Sequence, residues 1–330
     1  MSQYFFSARL TLPFARLLQR DPRFPSELLA PLLAIEPDER LPMEAVNELL
    51  AGAIHITGDP DLGLKAAREI VPGEYGVMEY AARSAATWRE ACETVGRFMH
   101  LLNDALRFSL HVDADKVFIE LDSRVPLPRA SADFQSAALH IGGSYLWAPN
   151  FAPDYEVWFS HPQPEDVSEY ERTFVGGKLC FGAPVNGFVC PSSYLAYRPH
   201  SADPHLHALI SKQADAMLAE LPRTQVLTER VRDLMVRELS RGAPGLADIA
   251  RRVSMSERTL SRHLEAEGTS FKHLLDDLRQ RLALRYVRQA ELSFSEIAFL
   301  LGFSQVSAFH RAFRRWTGQT PNEYRLAANH

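Results

Sequence analysis

Cysteine is scarce in this sequence: Cys92, Cys180 and Cys190 are three residues in a chain of 330. Three thiols cannot all pair, and their spacing fits no metal site, which argues against a disulfide scaffold and a structural zinc. Cys180 and Cys190 sit in apolar contexts, where a bond by chance of geometry is conceivable; buried free thiols in a reducing cytosol are the favoured reading. Long apolar runs are missing as well. No stretch approaches the roughly 18 apolar residues of a membrane-spanning helix, so no membrane is expected as a partner. The opening "MSQYFFSARLTLPFARLLQR" is broken by Arg9, Pro13 and Arg16 and has no small-residue cleavage site. No secretory signal is expected, and the expected compartment is the cytoplasm. The phosphate-cradling GxxxxGK[ST] and the GxSxG nucleophile turn are absent. Twelve histidines are present, but His205 and His207 lie two apart, His161 stands alone before Pro162, and no Cys/His/Asp cluster has ligand spacing. The expectation is no cofactor, no metal and no catalytic residue.

What is present is ordinary soluble material, 46% hydrophobic and 23% charged, in a length that suits two domains. The net charge of −5 conceals an asymmetry. Residues 1–222 hold 18 Lys and Arg against 29 Asp and Glu, a net −11, whereas residues 223–330 hold 18 against 12, a net +6. An acidic body joined to a basic domain points to a polyanion as the partner of the basic part. On charge alone, a chance split is the plainer alternative.

The first two-thirds mixes two periodicities. "LPMEAVNELLAGAIHITG" and "TWREACETVGRFMHLLNDAL" repeat apolar residues at three- and four-residue steps and predict helices, as does "ADFQSAALHIGGSYLWAP". "LRFSLHVDADKVFIELD" alternates on both sides of Asp113-Ala114-Asp115-Lys116, a hairpin pattern. "YEVWFSH" and "LCFGAPVNGFVCP" predict further strands, the latter turning back on itself at Val185-Asn186-Gly187. The expected fold is an α+β N-terminal domain, helices on an antiparallel sheet. "DPHLHALISKQADAMLAELP" reads as a helix ending at Pro222, and no strand pattern follows it. The expected division is a regulatory domain over 1–202, a helical linker over 203–225 and an all-α domain over 226–327.

That last domain carries an internal repeat. "LADIARRVSMSERTLSRHL" (246–264) echoes "FSEIAFLLGFSQVSAFHRAF" (294–313). Each copy reads as a short helix, a tight turn and a second helix opened by Ser as N-cap, giving helix-turn-helix motifs over 246–267 and 294–317. Gly302 suits the left-handed turn of the second copy; Ser254 stands there in the first, a slightly weaker match. On a helix from Gln305 to Trp316, Ala308, Phe309, Ala312, Phe313 and Trp316 share an apolar stripe about 140° wide. Ser307, His310, Arg311 and Arg314 take the opposite face, with Arg315 at its edge. In the first copy Leu260 and Leu264 point inward, Arg258, Ser261, Arg262 and Glu265 outward.

A helix anchored by apolar residues and showing Arg, Ser and His after a tight turn suits the DNA major groove. Arg donates twice to guanine O6 and N7, and Ser meets several base edges. His310 suits a base or a phosphate, and Arg314, later on the helix, suits a phosphate. Solvated surface residues are the plain alternative, and two copies with matching faces weigh against it. Between the copies, "FKHLLDDLRQRLALRYVRQ" (271–289) predicts a continuous helix of 19 residues, roughly 28 Å long. Neighbouring major-groove faces lie roughly 34 Å apart, so such a spacer suits two reading helices.

The stretch "EIAFLLGFSQVSAFHRAFRRWTGQTPNEYR" resembles the signature of AraC/XylS-type bacterial transcription regulators, and "MSERTLSRHLEAEGTSFKHLLDDLR" their preceding helix-turn-helix. The resemblance covers roughly 225–326 and implies a seven-helix domain bound to an asymmetric site in adjacent major grooves. It implies base reading by Arg258, Ser261 and Arg262, then by Val306, Ser307, His310 and Arg311, where an apolar Val306 is suited only to a thymine methyl. The segment from "RLPMEAVNELLAGAIHITG" to "ATWREA" and "LCFGAPVNGFVCP" are similar to the arabinose-binding-type sensor domain of a subgroup that includes regulators of ornithine use. The resemblance implies double-stranded DNA, a small-molecule effector and RNA polymerase as partners, and activation as the commoner outcome. It does not name the effector. The cysteine methyl-acceptor motif of repair proteins with this DNA-binding domain is absent. Trp88, Phe98, Tyr145, Trp147 and Trp158 would serve an effector pocket, though plain core is the commoner role for such residues. "GGSYLW" at 142 reads as a packing point rather than a ligand loop. Homodimerisation through the N-terminal domain or the 203–222 helix is compatible with all of this. Two other readings stay open: an enzyme or ligand-binding protein tethered to DNA, and an N-terminal domain that only dimerises.

Overall fold

The computed structural model of the chain describes residues 4–113, 115–147, 154–221, 226–239, 242, 244–288 and 292–328. The chain divides after Leu221 into two units. Pro222, expected to close the last helix of the first unit, lies outside the described residues, as does Ala114 of the predicted hairpin turn.

The first unit contains two sheets. Strands β1 (Phe5–Ser7) and β2 (Arg40–Pro42) form a small antiparallel pair. The larger sheet holds β3 (Leu106–Asp113), β4 (Lys116–Ser123), β5 (Glu156–Phe159), β6 (Lys178–Phe181) and β7 (Asn186–Pro191) in the order β3-β4-β7-β5-β6. The β3–β4 hairpin forms as its alternation predicts, with Phe108 opposite Leu121 and Leu110 opposite Ile119. Pairing of β4 with β7 sets Ile119 opposite Phe188, so one sheet face gathers the large apolar side chains. Phe118 and Trp158 meet on the other face, ring centroids 5.8 Å apart.

The hairpin expected within 179–191 does not form. β7 runs between β4 and β5, while β6 lies at the sheet edge and pairs with β5 in parallel, so the sheet is mixed rather than antiparallel. Asn186-Gly187 is strand, not turn. A Cβ on Gly187 would come within 2.1 Å of the Ile119 carbonyl oxygen, so its glycine allows β7 to close on β4. The chain leaves β6 instead at Gly182, where φ is +66°.

Nine helices of this unit are described: α1 (Leu12–Gln19), α2 (Ser26–Leu33), α3 (Met43–Thr57), α4 (Leu62–Ala67), α5 (Gly76–Ser84), α6 (Trp88–Leu102), α7 (Arg129–Ser144), α8 (Ser168–Thr173) and α9 (Pro204–Glu220). Thr87 caps α6 by accepting from the Glu90 amide, and α6 lies on β3. The segment expected as a linker helix, α9, packs on α5 and α6 within this unit. Its start is pinned to α5: the Asp203 amide donates to the Ser84 carbonyl (2.9 Å), and His207 Nδ1 lies 2.8 Å from the Ala81 carbonyl oxygen.

The second unit is helical throughout its described residues: α10 (Val226–Leu239), α11 (Leu246–Arg252), α12 (Glu257–Ala266), α13 (Phe271–Arg288), α14 (Phe294–Leu300), α15 (Val306–Thr317) and α16 (Pro321–Ala328). One continuous core joins both repeat copies: Leu260 and Leu264 of the first and Phe309 and Phe313 of the second are fully buried in it. The spacer helix α13 has 18 described residues, about 27 Å at 1.5 Å each; Gln289, expected as its nineteenth, lies outside the described residues.

Candidate nucleic-acid interface and ligand cavity

Each helix pair of the second unit turns through one left-handed residue. Gly302 has φ +67°, and Ser254 takes the same place at +58°. The hydrogen bonds coincide too. Met255 N donates to Ala250 O and Phe303 N to Ala298 O, both at 2.9 Å. Ser254 therefore makes the turn that its residue type disfavours, at a cost of roughly 1 kcal/mol. Ser256 caps α12 through the Thr259 amide (3.2 Å). In the second copy the expected serine cap fails: the added residue there makes Gln305 the N-cap of α15, with no side-chain bond, and Ser304 falls outside the helix. The capping box of that copy sits one helix earlier, between Ser293 and Glu296 at the start of α14.

On α12, Arg258 and Arg262 are exposed and Ser261 is half-buried. On α15, Ser307, Arg311 and Arg314 are exposed. Among the described residues none of Arg258, Arg262, Arg311 and Arg314 makes a hydrogen bond or an ion pair; their donors face solvent. His310 departs from this face. It is half-buried, set edge-on to Phe294 (5.5 Å) and Phe309 (5.6 Å), and its Nε2 is buried without a hydrogen-bond partner among the described residues. Val306 is half-buried against the core. Arg315, at the edge, pairs with Asp276 at 3.2 Å.

Two arginines that sequence reading passed over hold these helices in place. Arg279 of α13 donates through Nε to Leu301 O and through Nη2 to Gly302 O, both at 2.9 Å, with its guanidinium 4.6 Å from the Phe303 ring centroid. It thereby satisfies the carbonyls at the end of α14, where the turn begins. Arg325 donates to Val287 O at the end of α13 and to Leu292 O just before α14, both at 2.7 Å. Spacing offers no signal for either, because each reaches carbonyls more than twenty residues away along the chain.

The first unit holds a cavity of about 420 Å³ between the large sheet and helices α5, α6 and α7. This is within the range of roughly 300–1,000 Å³ usual for ligand sites. Its walls are chiefly apolar and aromatic. Of the five aromatics expected to serve a pocket, Trp88 and Trp147 line it; Phe98, Tyr145 and Trp158 do not. Gly142 and Gly143, expected as a packing point, line it as well, and a Cβ at either would meet open space. Cys92 and Cys190 are both free thiols in the lining, and burial pushes both up, Cys190 to about 12, so neither is a ready nucleophile. His140 also lines the cavity, and burial lowers it to about 4, leaving a neutral ring at pH 7.

Behind α7 lies a buried polar network that sequence reading missed. Asp133, with no exposed surface, accepts from Tyr170 Oη (2.7 Å) and lies 2.9 Å from His161 Nε2 and 3.3 Å from Arg129 Nε. His161 Nδ1 lies 2.8 Å from the Pro162 carbonyl oxygen, so both ring nitrogens face acceptors. Burial lowers its pKa, but the bonds to Asp133 and Pro162 outweigh that and raise it.

Residues 26–199 match the family model described as the arabinose-binding domain of AraC transcription regulator, and residues 249–327 match a helix-turn-helix domain. The chain is 32% identical over 313 residues to the ornithine utilization regulator of Pseudomonas aeruginosa, covering 94% of this chain and 91% of that one. It is 32% identical over 277 residues to the HTH-type transcriptional regulator VirS of Mycobacterium tuberculosis, covering 81% and 78%. A shorter likeness, 37% over 107 residues and 32% of each chain, is to the transcriptional activator NphR of a Rhodococcus species.

Proposed function

The chain belongs to the AraC family of transcription regulators, and from that premise we propose that α12 and α15 read two adjacent major-groove segments of one operator. Arg258, Ser261 and Arg262 read the first segment, Ser307 and Arg311 the second, and Arg314 holds a phosphate. The carrying observation is the pair of exposed faces whose four guanidinium groups make no hydrogen bond or ion pair among the described residues, on helices rooted in a single core. His310 serves chiefly to seat α15 on Phe294. The protein works in the cytoplasm and engages RNA polymerase, and it acts as an activator by analogy with the Rhodococcus relative. No catalytic step is assigned to it. The first unit, residues 1–202 with α9, binds a small-molecule effector; its cavity supports sensing over a purely dimerising role. Homodimer formation has support in α9, where Leu206 and Leu209 stand exposed one turn apart.

The test is selection of bound sequences from random duplex DNA by the full-length protein. The expected site has two segments about 10–10.5 base pairs apart, and affinity falls steeply with salt as phosphate contacts release counterions. Arg262→Ala and Arg311→Ala each relax preference in one segment only. Unchanged affinity and preference in both variants would overturn the assignment of reading faces.

A further inference from the structure

The cavity of the first unit constrains the chemistry of its ligand, an inference that rests on the effector reading above. Among its lining residues Glu79 is the only carboxylate and Arg83 the only arginine or lysine; both stand on α5. Glu79 is buried and fully engaged. Its Oε1 accepts from the Gly73 amide (2.7 Å) and from Arg83 Nη1 (3.2 Å), and its Oε2 accepts from the Tyr75 amide (3.2 Å). A cationic amine entering here finds no free anion, and the neutral His140 supplies none. Arg83 is less committed. Its one side-chain hydrogen bond among the described residues is that to Glu79, and its guanidinium lies 5.4 Å from the Tyr145 ring centroid. A guanidinium carries five N–H donors in a fork that matches a carboxylate, so most of its capacity is unused. The remaining wall is chiefly aromatic and aliphatic, with uncharged polar groups at Tyr75, Asn103, Gln135, Ser144, Tyr155 and Tyr194, so Arg83 is its one fixed cation.

We propose that this cavity takes an apolar monocarboxylate, its aliphatic or aromatic body against Trp88, Trp147, Phe108 and Phe188 and its carboxylate on Arg83. The second ammonium of a diamino acid finds no free carboxylate here, and the lone uncommitted cation favours an acid over a neutral polyol. The same arginine ties the ligand to the end of the unit. Arg83 lies on α5, its own carbonyl accepts from Ser201 Oγ (2.6 Å), and α5 packs along α9, the last helix before the second unit.

The experiment uses the full-length protein and four probes: 4-phenylbutyrate, 4-phenyl-1-butanol, L-arabinose and L-ornithine. Quenching of tryptophan fluorescence, with Trp88 and Trp147 in the wall, and titration calorimetry read the binding. The acid is expected to bind at least about tenfold more tightly than the alcohol, as a charge-assisted contact implies, and the two polar probes not at all. Arg83→Gln brings the acid-to-alcohol ratio to about one while the alcohol's affinity holds, a change that general loosening of the fold would not produce. Ala138→Trp fills the space and removes both phenyl probes; should it misfold, the ratio in Arg83→Gln still decides. Equal affinity for acid and alcohol in the native chain, tighter binding of arabinose or ornithine, or binding of neither phenyl probe would overturn the proposal. Operator binding is followed in parallel. An acid that binds as described but leaves operator binding and transcription unchanged removes effector control and keeps the ligand class. Control exerted by a polar ligand does the reverse.

Discussion

The arginines of the two units differ in how many are left without an acid. In the first, arginines turn inward onto acids: Arg16 pairs with Glu74 at 2.7 Å, Arg68 with Glu169 at 2.6 Å, and Arg40 and Arg129 with Asp104 and Asp61. In the second, Arg279 and Arg325 cap helix ends through carbonyl oxygens, and Arg258, Arg262, Arg311 and Arg314 bind nothing described. The net charges of −11 and +6 underlie this difference. The second unit also pairs arginines with acids, Arg252 with Glu238, Arg281 with Asp277 and Arg315 with Asp276. With fewer acids than cations, it leaves the four on α12 and α15 for an external anion. The side chain is the same, and its supply of partners decides whether it stabilises the fold or waits for a ligand.

The largest effect that would sharpen this contrast comes from cutting the Asp133 network. Asp133→Ala leaves the Tyr170 hydroxyl, Arg129 and His161 without their shared acceptor and should cost about 3–5 kcal/mol in chemical denaturation. The same network makes stability depend on pH. Folding raises the His161 pKa, so its contribution is full below about pH 6.5, the unfolded value, and is lost as pH rises through the folded value. His161→Gln should flatten that part of a stability-versus-pH curve; an unchanged curve would break the assignment.

Next is a matched pair of identical substitutions. Arg16→Ala strands the buried Glu74 and should lower stability by about 3 kcal/mol, with no change in sequence preference on DNA. Arg311→Ala should leave stability within about 0.5 kcal/mol and weaken a cognate site by about 1–3 kcal/mol. Were the two variants to exchange readouts, the contrast between inward and outward arginines would fail. The smallest effect lies in the first turn. Ser254→Gly relieves a left-handed serine and should stabilise the second unit by about 0.5–1 kcal/mol, whereas Gly302→Ala should cost about 1–2 kcal/mol; thermal unfolding resolves both.

Much of the second unit was legible because its information is local. The inward and outward faces of α12 and α15 follow from a period of 3.6 residues, and Leu260, Leu264, Phe309 and Phe313 are buried as that period requires. The serine cap of α15 was misplaced because one inserted residue shifts the helix start by a position, and pattern matching carried Ser304 across from Ser256. His310 is only half-exposed for a related reason. Helical phase set it outward, while the Phe294 ring, on another helix, covers it. In the first unit the strands of the larger sheet and the β3–β4 pairing were legible, whereas β1, β2 and the remaining strand partners were not. Asn186-Gly187 carries a strong hairpin signal, yet the approach of β4 outweighs it.

By itself, the sequence determined the longer helices and the strands of the larger sheet, the repeat with its two cationic faces, and the division of charge, since all of these depend on residue type and short-range period. Only the tertiary structure decided which strands neighbour each other, which arginines are held by distant carbonyls, and that Trp88 and Trp147 but not Trp158 surround an empty space. Those features join residues tens of positions apart. Whether such residues meet depends on how whole elements pack, because a buried donor, carboxylate or cavity wall is settled by what lies across from it in space.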